Sequence, residues 1–199
     1  VATLTASSVA NLSTYLRIGT HNSKPAVIFE AANVLVVDGS GGTEGTDGLG
    51  NLIVGYDEPS SGGDDKTGSH NLVVGPHHTY SSFGGLVAGY NNNVTGGMAS
   101  VTGGTGNTAS VAWASVSGGN GNTASGDGSS VSAGAGNTAS GSGSSVSGGG
   151  AHTASGNFSS VSGGYGNTAS GHLSSVSGGD SNIASEYYSS VSGGAANTA

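Results

Sequence analysis

Cysteine is absent from the 199 residues of this chain, which excludes disulfide scaffolds, thiolate metal sites and cysteine nucleophiles. Basic residues are scarce: three Lys and Arg stand against 11 acidic residues, and the net charge is −8. Because nucleic acids and anionic lipid surfaces are bound through clusters of basic side chains, we expect neither as a partner. No apolar run approaches the roughly 20 residues of a membrane-spanning helix, so we expect no membrane insertion by this segment.

Residue types that carry catalysis are few and scattered. The six His have no carboxylate at the spacing of a catalytic triad or a metal site, and no Gly-x-Ser-x-Gly motif occurs. The Gly-Gly-x-Gly-Asn segments are similar to the calcium-binding nonapeptide, but Asn stands where that motif has its carboxylate. We therefore predict no enzymatic activity, no cofactor and no metal ion, and we expect the His side chains at the surface or in turns.

What the chain has instead is glycine and a strict period. Glycine supplies 41 residues, and charged side chains only 7%, against about 25% in an ordinary globular domain. This composition would suit a disordered linker, but a disordered chain needs no fixed period, and we interpret the sequence from Leu86 onwards as a repeat of 15 residues. Three columns define the repeat: Val101, Val116, Val131, Val146, Val161, Val176 and Val191; Ala109, Ala124, Ala139, Ala154, Ala169, Ala184 and Ala199; and Asn107, Asn122, Asn137, Asn167, Asn182 and Asn197, with His152 replacing one Asn.

Three earlier segments follow the same pattern. They are NLIVG at residues 51–55, NLVVG at residues 71–75 and GLVAG at residues 85–89. The step from Leu72 to Leu86 is 14 residues, whereas the step from Leu52 to Leu72 is 20. We therefore expect a looped-out excursion between the first two segments, in the charged stretch around Asp64.

A short period rich in Gly and Asn and poor in helix formers predicts an all-β fold, a parallel β-solenoid in which each repeat forms one coil. Ser-Val-Ser and Thr-Ala-Ser alternate as strands do, which places Val and Ala inside and Ser and Thr outside. The Gly-rich segments supply two turns, and Asn suits a left-handed corner or a side-chain amide ladder between coils. We favour a flattened two-sided roll over a wide triangular helix. Since one Val and one Ala per coil make a small apolar core, we expect a homo-oligomer.

The sequence divides into three zones. Residues 1–18 carry Val9, Leu12 and Leu16 at the spacing of a helical seam. This zone suits an N-terminal helix packed on its own domain or the end of a coiled-coil stalk, with disorder as a third alternative. Residues 19–50 are a β-rich connector in which AVIF (residues 26–29) and VLVV (residues 34–37) are predicted strands. Residues 51–199 are the β-roll of 14–15-residue coils, and because the repeat is cut at Ala199 we expect a mature product or a fragment of a longer protein.

Repeats such as GNTASGDGSSVSAGAGNTASG (residues 121–141) resemble the YadA-like head repeats of trimeric autotransporter adhesins, and NLIVG, NLVVG and GLVAG are the closest matches to that family. The resemblance covers about residues 51–199. It implies a homotrimer of left-handed parallel β-rolls next to coiled-coil stalks on the bacterial cell surface. The chain departs from the family where Ser and Gly follow Val, because the family often has a second inward Ile.

We predict from these features a non-enzymatic, structural and adhesive segment of an extracellular bacterial fibre. Its partners would be its own copies and a surface glycan or protein of another cell or matrix, bound through several weak contacts at variable turn residues. The candidate binding residues are Trp113, Asp127, Asn157, Tyr165, His172, Asp180, Glu186 and Tyr187. Asp127, Asn157, His172, Glu186 and Tyr187 are assigned to one turn column, and Tyr165 and Asp180 to another. A bulky column, Met98, Trp113, Phe158, Leu173 and Tyr188, shares its position with Gly128 and Gly143 and is expected to be a packing seam.

Two alternative functions remain open from the sequence. Stacked Thr and Ser ladders on a 15-residue coil suit an ice-binding solenoid, although Ser rather than Thr follows most of the column Ala residues. A polysaccharide hydrolase on a β-helix needs clustered carboxylates, and the repeat zone offers only Asp127, Asp180 and Glu186.

Overall fold

Short β-strands make up nearly all of the regular structure in the computed structural model, which describes residues 12–60, 63 and 65–199. The chain forms two compact units, divided between Val36 and Val37. The division differs from the boundaries at residues 18 and 50 that the sequence suggested. The repeats lie in the second unit.

The first unit contains a β-hairpin. Strand β1 (Leu16–His21) pairs antiparallel with β2 (Lys24–Phe29), and the chain reverses through Asn22 and Ser23, whose φ angles are 47° and 63°. Two consecutive left-handed residues match the twist of a two-residue hairpin. The predicted strand over residues 26–29 is thus confirmed as part of β2.

The helix predicted over residues 1–18 is not shown at its predicted length, and the strand predicted over residues 34–37 is wrong. The helix expected over residues 1–18 does not reach Ile18, because from Leu16 the chain is extended and paired in the hairpin. Residues 1–11 lie outside the described residues, and among those described only Leu12 is in α-helical conformation. The predicted strand VLVV at residues 34–37 is irregular and exposed, because no described strand pairs with it.

The second unit is a parallel β-solenoid, as the period predicts. Its strands are β3 (Leu52–Val54), β4 (Leu72–Val74), β5 (Thr79–Tyr80), β6 (Leu86–Ala88), β7 (Asn93–Val94), β8 (Ser100–Val101), β9 (Thr108–Ala109), β10 (Ser115–Val116), β11 (Thr123–Ala124), β12 (Ser130–Val131), β13 (Thr138–Ala139), β14 (Ser145–Val146), β15 (Thr153–Ala154), β16 (Ser160–Val161), β17 (Thr168–Ala169), β18 (Ser175–Val176), β19 (Ile183–Ala184) and β20 (Ser190–Val191).

Each coil from β4 to β19 contributes one strand to each of two parallel sheets, whereas the coils of β3 and β20 have a strand in only one of them. The 10-stranded Val sheet runs in the order β20-β18-β16-β14-β12-β10-β8-β6-β4-β3, and the 8-stranded Ala sheet runs β19-β17-β15-β13-β11-β9-β7-β5. Pairing is in register: Val116 lies beside Val131, and Ala124 beside Ala139. In the Val sheet the 15-residue step begins at Val101 and not, as the sequence suggested, at Leu86, because Val87 pairs with Val101, which is 14 residues away. The Val column and the Ala column up to Ala184 are buried between the sheets, which confirms the predicted inward positions and the two-sided roll.

Two turns join the sheets in every coil. In a representative coil the first turn is residues 118–122, between β10 and β11, and the second turn is residues 126–129, between β11 and β12. Both turns bring the backbones of neighbouring coils into contact. A Cβ added at Gly134, in a first turn, would overlap the carbonyl oxygen of Gly149 in the next coil. Gly is therefore required there for close approach as well as for its φ of +97°.

The Asn column forms a buried amide ladder at the end of the first turn. The Asn122 side-chain oxygen accepts the backbone N–H of Asn137 at 3.0 Å. Its Nδ2 donates to the carbonyls of Gly118 and Gly134 at 2.9 and 3.0 Å. The ladder was one of two predictions for Asn. The left-handed corner is instead the preceding residue, for example Gly121 with φ of +63°.

Two His side chains replace Asn in this ladder. Each lies at the end of a first turn, which agrees with the expectation of surface or turn positions, but they are inside the solenoid rather than exposed. His78 and His152 are fully buried. The His152 Nδ1 accepts the backbone N–H of Asn167 at 3.0 Å, and the His78 Nδ1 accepts that of Asn92 at 3.2 Å. Since a backbone N–H can only donate, the proton of each neutral ring lies on Nε2. Burial lowers the pKa of both His below the usual 6.5.

A column of small residues completes the interior at the end of the second turn. It is filled by Ala99, Ala114, Ser129, Ser144, Ser159 and Ser174, all of which are buried. The Ser129 hydroxyl accepts the backbone N–H of Gly126 at 3.0 Å. The hydroxyls of Ser144, Ser159 and Ser174 are buried without a hydrogen-bond partner. The interior thus holds Asn and Ser beside Val and Ala, so each coil buries more side chains than the one Val and one Ala that the sequence suggested.

The charged excursion is anchored to the solenoid. Leu52 pairs directly with Leu72, so the intervening residues loop out, as the 20-residue step predicted. The Lys66 Nζ lies 3.0 Å from Asp57 Oδ1, and the Tyr80 hydroxyl donates to Asp57 Oδ2 at 2.8 Å. Tyr80 is buried in β5, which ties the base of the loop to the Ala sheet.

Candidate binding surface

The bulky column of the second turn has an unusual backbone. Met98, Trp113, Phe158, Leu173 and Tyr188 all have positive φ, between 56° and 60°. Gly128 and Gly143, at the same position, have φ of 61° and 63°. The turn geometry is therefore constant, and five coils place a large side chain where Gly would be unstrained. A left-handed conformation costs a residue with a Cβ about 1–2 kcal/mol.

These strained side chains are exposed, with between 39% and 66% of their surface open. The column therefore forms no packing seam within the chain itself. Strain of this kind persists where surrounding structure or function requires it, and here burial within the chain offsets little of the cost. This combination marks the second turn as a candidate contact surface.

Aromatic rings accumulate on this turn in the last three coils. We call Phe158, His172, Leu173, Tyr187 and Tyr188 the aromatic patch. The Phe158 ring lies over Gly143 of the preceding coil. Phe158 and His172 meet edge to face at 5.9 Å between ring centroids, and His172 stacks on Tyr187 at 4.9 Å with planes 17° apart. Tyr187 meets Tyr188 at 4.3 Å and 88°, so contacts between rings run through three coils.

Polar groups flank the aromatic patch. Asn157, beside Phe158, accepts the backbone N–H of Ser142 through its side-chain oxygen at 3.1 Å. Glu186 is an exposed carboxylate beside Tyr187. A hydrogen bond with the Tyr188 side chain raises the pKa of Tyr187, so Tyr187 is an uncharged phenol at neutral pH. The patch thus combines flat aromatic faces with hydroxyl, amide and carboxylate groups.

The structure separates the predicted binding residues into two groups. Trp113, Asp127, Asn157, His172, Glu186 and Tyr187 lie in second turns, whereas Tyr165 and Asp180 lie in first turns. The assignment of Glu186 to the column of Asp127 and His172 is wrong. The 15-residue register places Glu186 with Gly171 and places Tyr187 with His172.

His172 and Tyr187 are brought together in the patch, with Asn157 and Glu186 at its margin. Trp113 and Asp127 lie in earlier coils of the same turn and outside the patch. The Tyr165 ring lies over Gly150, and the Asp180 carboxylate accepts the hydroxyl of Ser181 at 2.7 Å.

Phe158, Leu173 and Tyr188 were not among the predicted binding residues, although all three belong to the patch. The sequence could have indicated them, because each directly follows a predicted binding residue: Phe158 follows Asn157, Leu173 follows His172 and Tyr188 follows Tyr187. What the sequence did not reveal is that the column is exposed rather than packed.

A second surface is the outer face of the Ala sheet. Thr108, Thr123, Thr138, Thr153 and Thr168 form one in-register row, and Ser110, Ser125, Ser140, Ser155 and Ser170 form another. Neighbouring coils are about 4.8 Å apart, as in any parallel sheet. The face is a regular array of hydroxyl groups, interrupted where Ile183 replaces Thr.

Within residues 12–60, 63 and 65–199, no three His, Asp or Glu side chains are grouped so that they could hold a metal ion. No helix among these residues is both long and apolar enough to cross a bilayer.

A scan against protein-family models gives no match for this chain, and a search of curated proteins gives no match either. The similarity to YadA-like head repeats therefore rests on the repeat sequence itself.

Proposed function

We propose that this chain is a non-enzymatic, structural and adhesive segment of a bacterial surface fibre, outside the cell. The observation that carries the proposal is the strained, exposed column of large side chains on an otherwise uniform parallel solenoid. The in-register sheets hold successive turns at fixed spacing, and the turn residues vary from coil to coil. Such a scaffold suits many weak, simultaneous contacts rather than one deep site.

Self-association into a homotrimer is part of this proposal, as the YadA-like resemblance implies. It is supported by the outer face of the first strands of the Val sheet. Leu52, Leu72 and Leu86 point outward in register, and Leu52 and Leu72 are exposed. From β8 onwards Ser occupies this row. An apolar patch of this kind favours association with further copies.

Light scattering on a size-exclusion column tests the assembly. The expected molar mass is about three times the 18.7 kDa of the chain. A mass of one chain would contradict the trimer. Replacement of Leu52 and Leu72 by Ser, the residue found at this position in later coils, is expected to weaken the assembly.

Adhesion is tested with beads that carry the chain at graded density. They are washed over bacterial cells, animal cells, polysaccharide films and matrix proteins. Retention is expected to rise more steeply than density, because avidity multiplies weak contacts, and excess soluble chain should compete. If no surface retains the beads even at saturating density, the adhesive function is wrong.

Ice binding is a second candidate, favoured by the regular Thr and Ser rows of the Ala sheet. A freezing-point gap at micromolar protein, lost when Thr138 and Thr153 are replaced by bulky charged residues, would establish it. Absence of such a gap would exclude it.

A further inference from the structure

We propose that the aromatic patch binds a neutral saccharide chain. This inference rests on the proposed adhesive function and names its ligand class and its site. The large side chains of the patch impose backbone strain. Phe158, Leu173 and Tyr188 hold left-handed backbone conformations that Gly128 and Gly143 adopt without strain, and Phe158 and Tyr188 are more than half exposed. Stability of the coil alone would favour Gly at these positions, so the side chains serve a contact outside the coil.

The chemistry of the patch matches a polyol with apolar faces. The negative face of an aromatic ring attracts weakly positive C–H groups, which one face of a sugar ring presents in an array. Tyr is a rigid side chain with an apolar body and a polar tip. Asn157 and Glu186, next to Phe158 and Tyr187, add an amide and a carboxylate within reach of sugar hydroxyls.

The charge distribution favours a neutral ligand over an anionic one. Lys66 is the last Lys or Arg in the sequence, so the coils that carry the aromatic patch contain neither residue type, and Glu186 is beside the patch. A sulfated or sialylated glycan would meet an acidic protein of net charge −8 without a Lys or Arg side chain in these coils to compensate its charge.

The dimensions and continuity of the patch favour a chain-like ligand. Its three coils span about 10 Å at the spacing of parallel strands, which is long enough for a short oligosaccharide. A second copy of this chain fits less well, because the same column changes from Trp113 to Gly128 and Gly143 and back to Phe158. A self-packing seam would have to follow that change in side-chain size, whereas an external ligand needs only the contiguous patch.

The test uses the full chain and titration calorimetry with three neutral probes: cellotetraose, chitotetraose and maltotetraose. The variant combines Phe158→Gly, Tyr187→Ser and Tyr188→Gly, each of which installs a residue found in the same column at Gly143, Ser142 or Gly128. Since the two Gly substitutions relieve strain, the variant is expected to unfold no more readily than the original chain. Ile183→Thr is the matched control, because it removes an exposed apolar side chain from the same coils, installs the residue found in that column at Thr168, and lies on the Ala sheet outside the patch.

The expected result is that at least one probe binds the original chain and Ile183→Thr equally, and that the triple variant loses about tenfold or more in affinity. Binding of none of the three probes to the original chain would overturn the proposal, and so would equal binding to the triple variant. A fall in molar mass of the triple variant would also overturn it, because the patch would then be a contact between copies. Bead retention without saccharide binding would refute only the saccharide inference. Saccharide binding without bead retention would refute the adhesive function.

Discussion

Replacement of Gly134 by Ala tests the idea that close approach between coils holds the solenoid together. Gly134 has φ of +97°, and a Cβ there would overlap Gly149 O and lie 2.5 Å from Asn137 Nδ2. The same Gly149 carbonyl accepts the backbone N–H of Ala135 at 3.0 Å and the Asn137 side chain at 3.1 Å. The added methyl group therefore strains the backbone and pushes apart two coils at a shared acceptor.

The expected loss in the free energy of unfolding is the sum of three contributions. The left-handed conformation costs Ala about 1–2 kcal/mol relative to Gly. Overpacking costs about 1–3 kcal/mol, and a weakened hydrogen bond about 0.5–1.5 kcal/mol. We expect Gly134→Ala to lower the free energy of unfolding by about 3–5 kcal/mol, since relaxation of the coils relieves part of the overlap.

Gly148→Ala is the matched control. No atom lies within 4 Å of a Cβ built at Gly148, its φ is not positive, and Ala133 occupies the same position one coil earlier. We expect this variant to unfold within about 0.5 kcal/mol of the original chain. Urea unfolding followed by far-ultraviolet circular dichroism measures both, with midpoints compared directly because repeat proteins depart from two-state behaviour. If the two variants unfold alike, close approach at the first turn does not limit stability and the reasoning fails.

Three further predictions concern the interior. His152→Asn should reduce the loss of stability on acidification. The pKa of His152 is lower in the folded chain than the usual 6.5, so its contribution to stability is complete above pH 6.5 and is lost as pH falls below it. Urea midpoints between pH 7.5 and 4.5 would show this, and an unchanged pH dependence would contradict it. Ser159→Ala should leave the folded state unchanged or stabilise it by about 1 kcal/mol, because it removes a buried hydroxyl without a partner at a position where Ala99 and Ala114 already occur. A clear loss of thermal stability would contradict this, because it would reveal a hydrogen bond to that hydroxyl. Tyr80→Phe should lower the free energy of unfolding by about 1–2 kcal/mol, because the hydrogen bond to Asp57 is lost, and it should speed proteolysis of the charged excursion. Tyr165→Phe, the control at an exposed ring, should change neither.

The architecture of the repeat zone was predictable because one coil is a local pattern repeated. Val116 and Ala124 could be placed inside from alternation alone, and the looped-out segment followed from the step between Leu52 and Leu72. The strand predicted over residues 34–37 failed although its residues are apolar and β-branched. A strand needs a partner edge, and the sequence of one segment does not contain its partner.

The sequence by itself determined the period, the parallel register and the inward Val and Ala columns, because each of these repeats at a fixed spacing along the chain. It left two roles open for Asn, and the structure decided for the amide ladder. Only the tertiary structure decided which turn residues come together. Tyr165 and Tyr187 are both exposed Tyr in turns, yet one lies in a first turn and the other in a second turn beside His172 and Tyr188. The stacking of coils also decided that His152 is buried and that the bulky column stands exposed in a strained conformation. Burial and backbone conformation depend on contacts between coils, and these contacts exist only once the chain has folded.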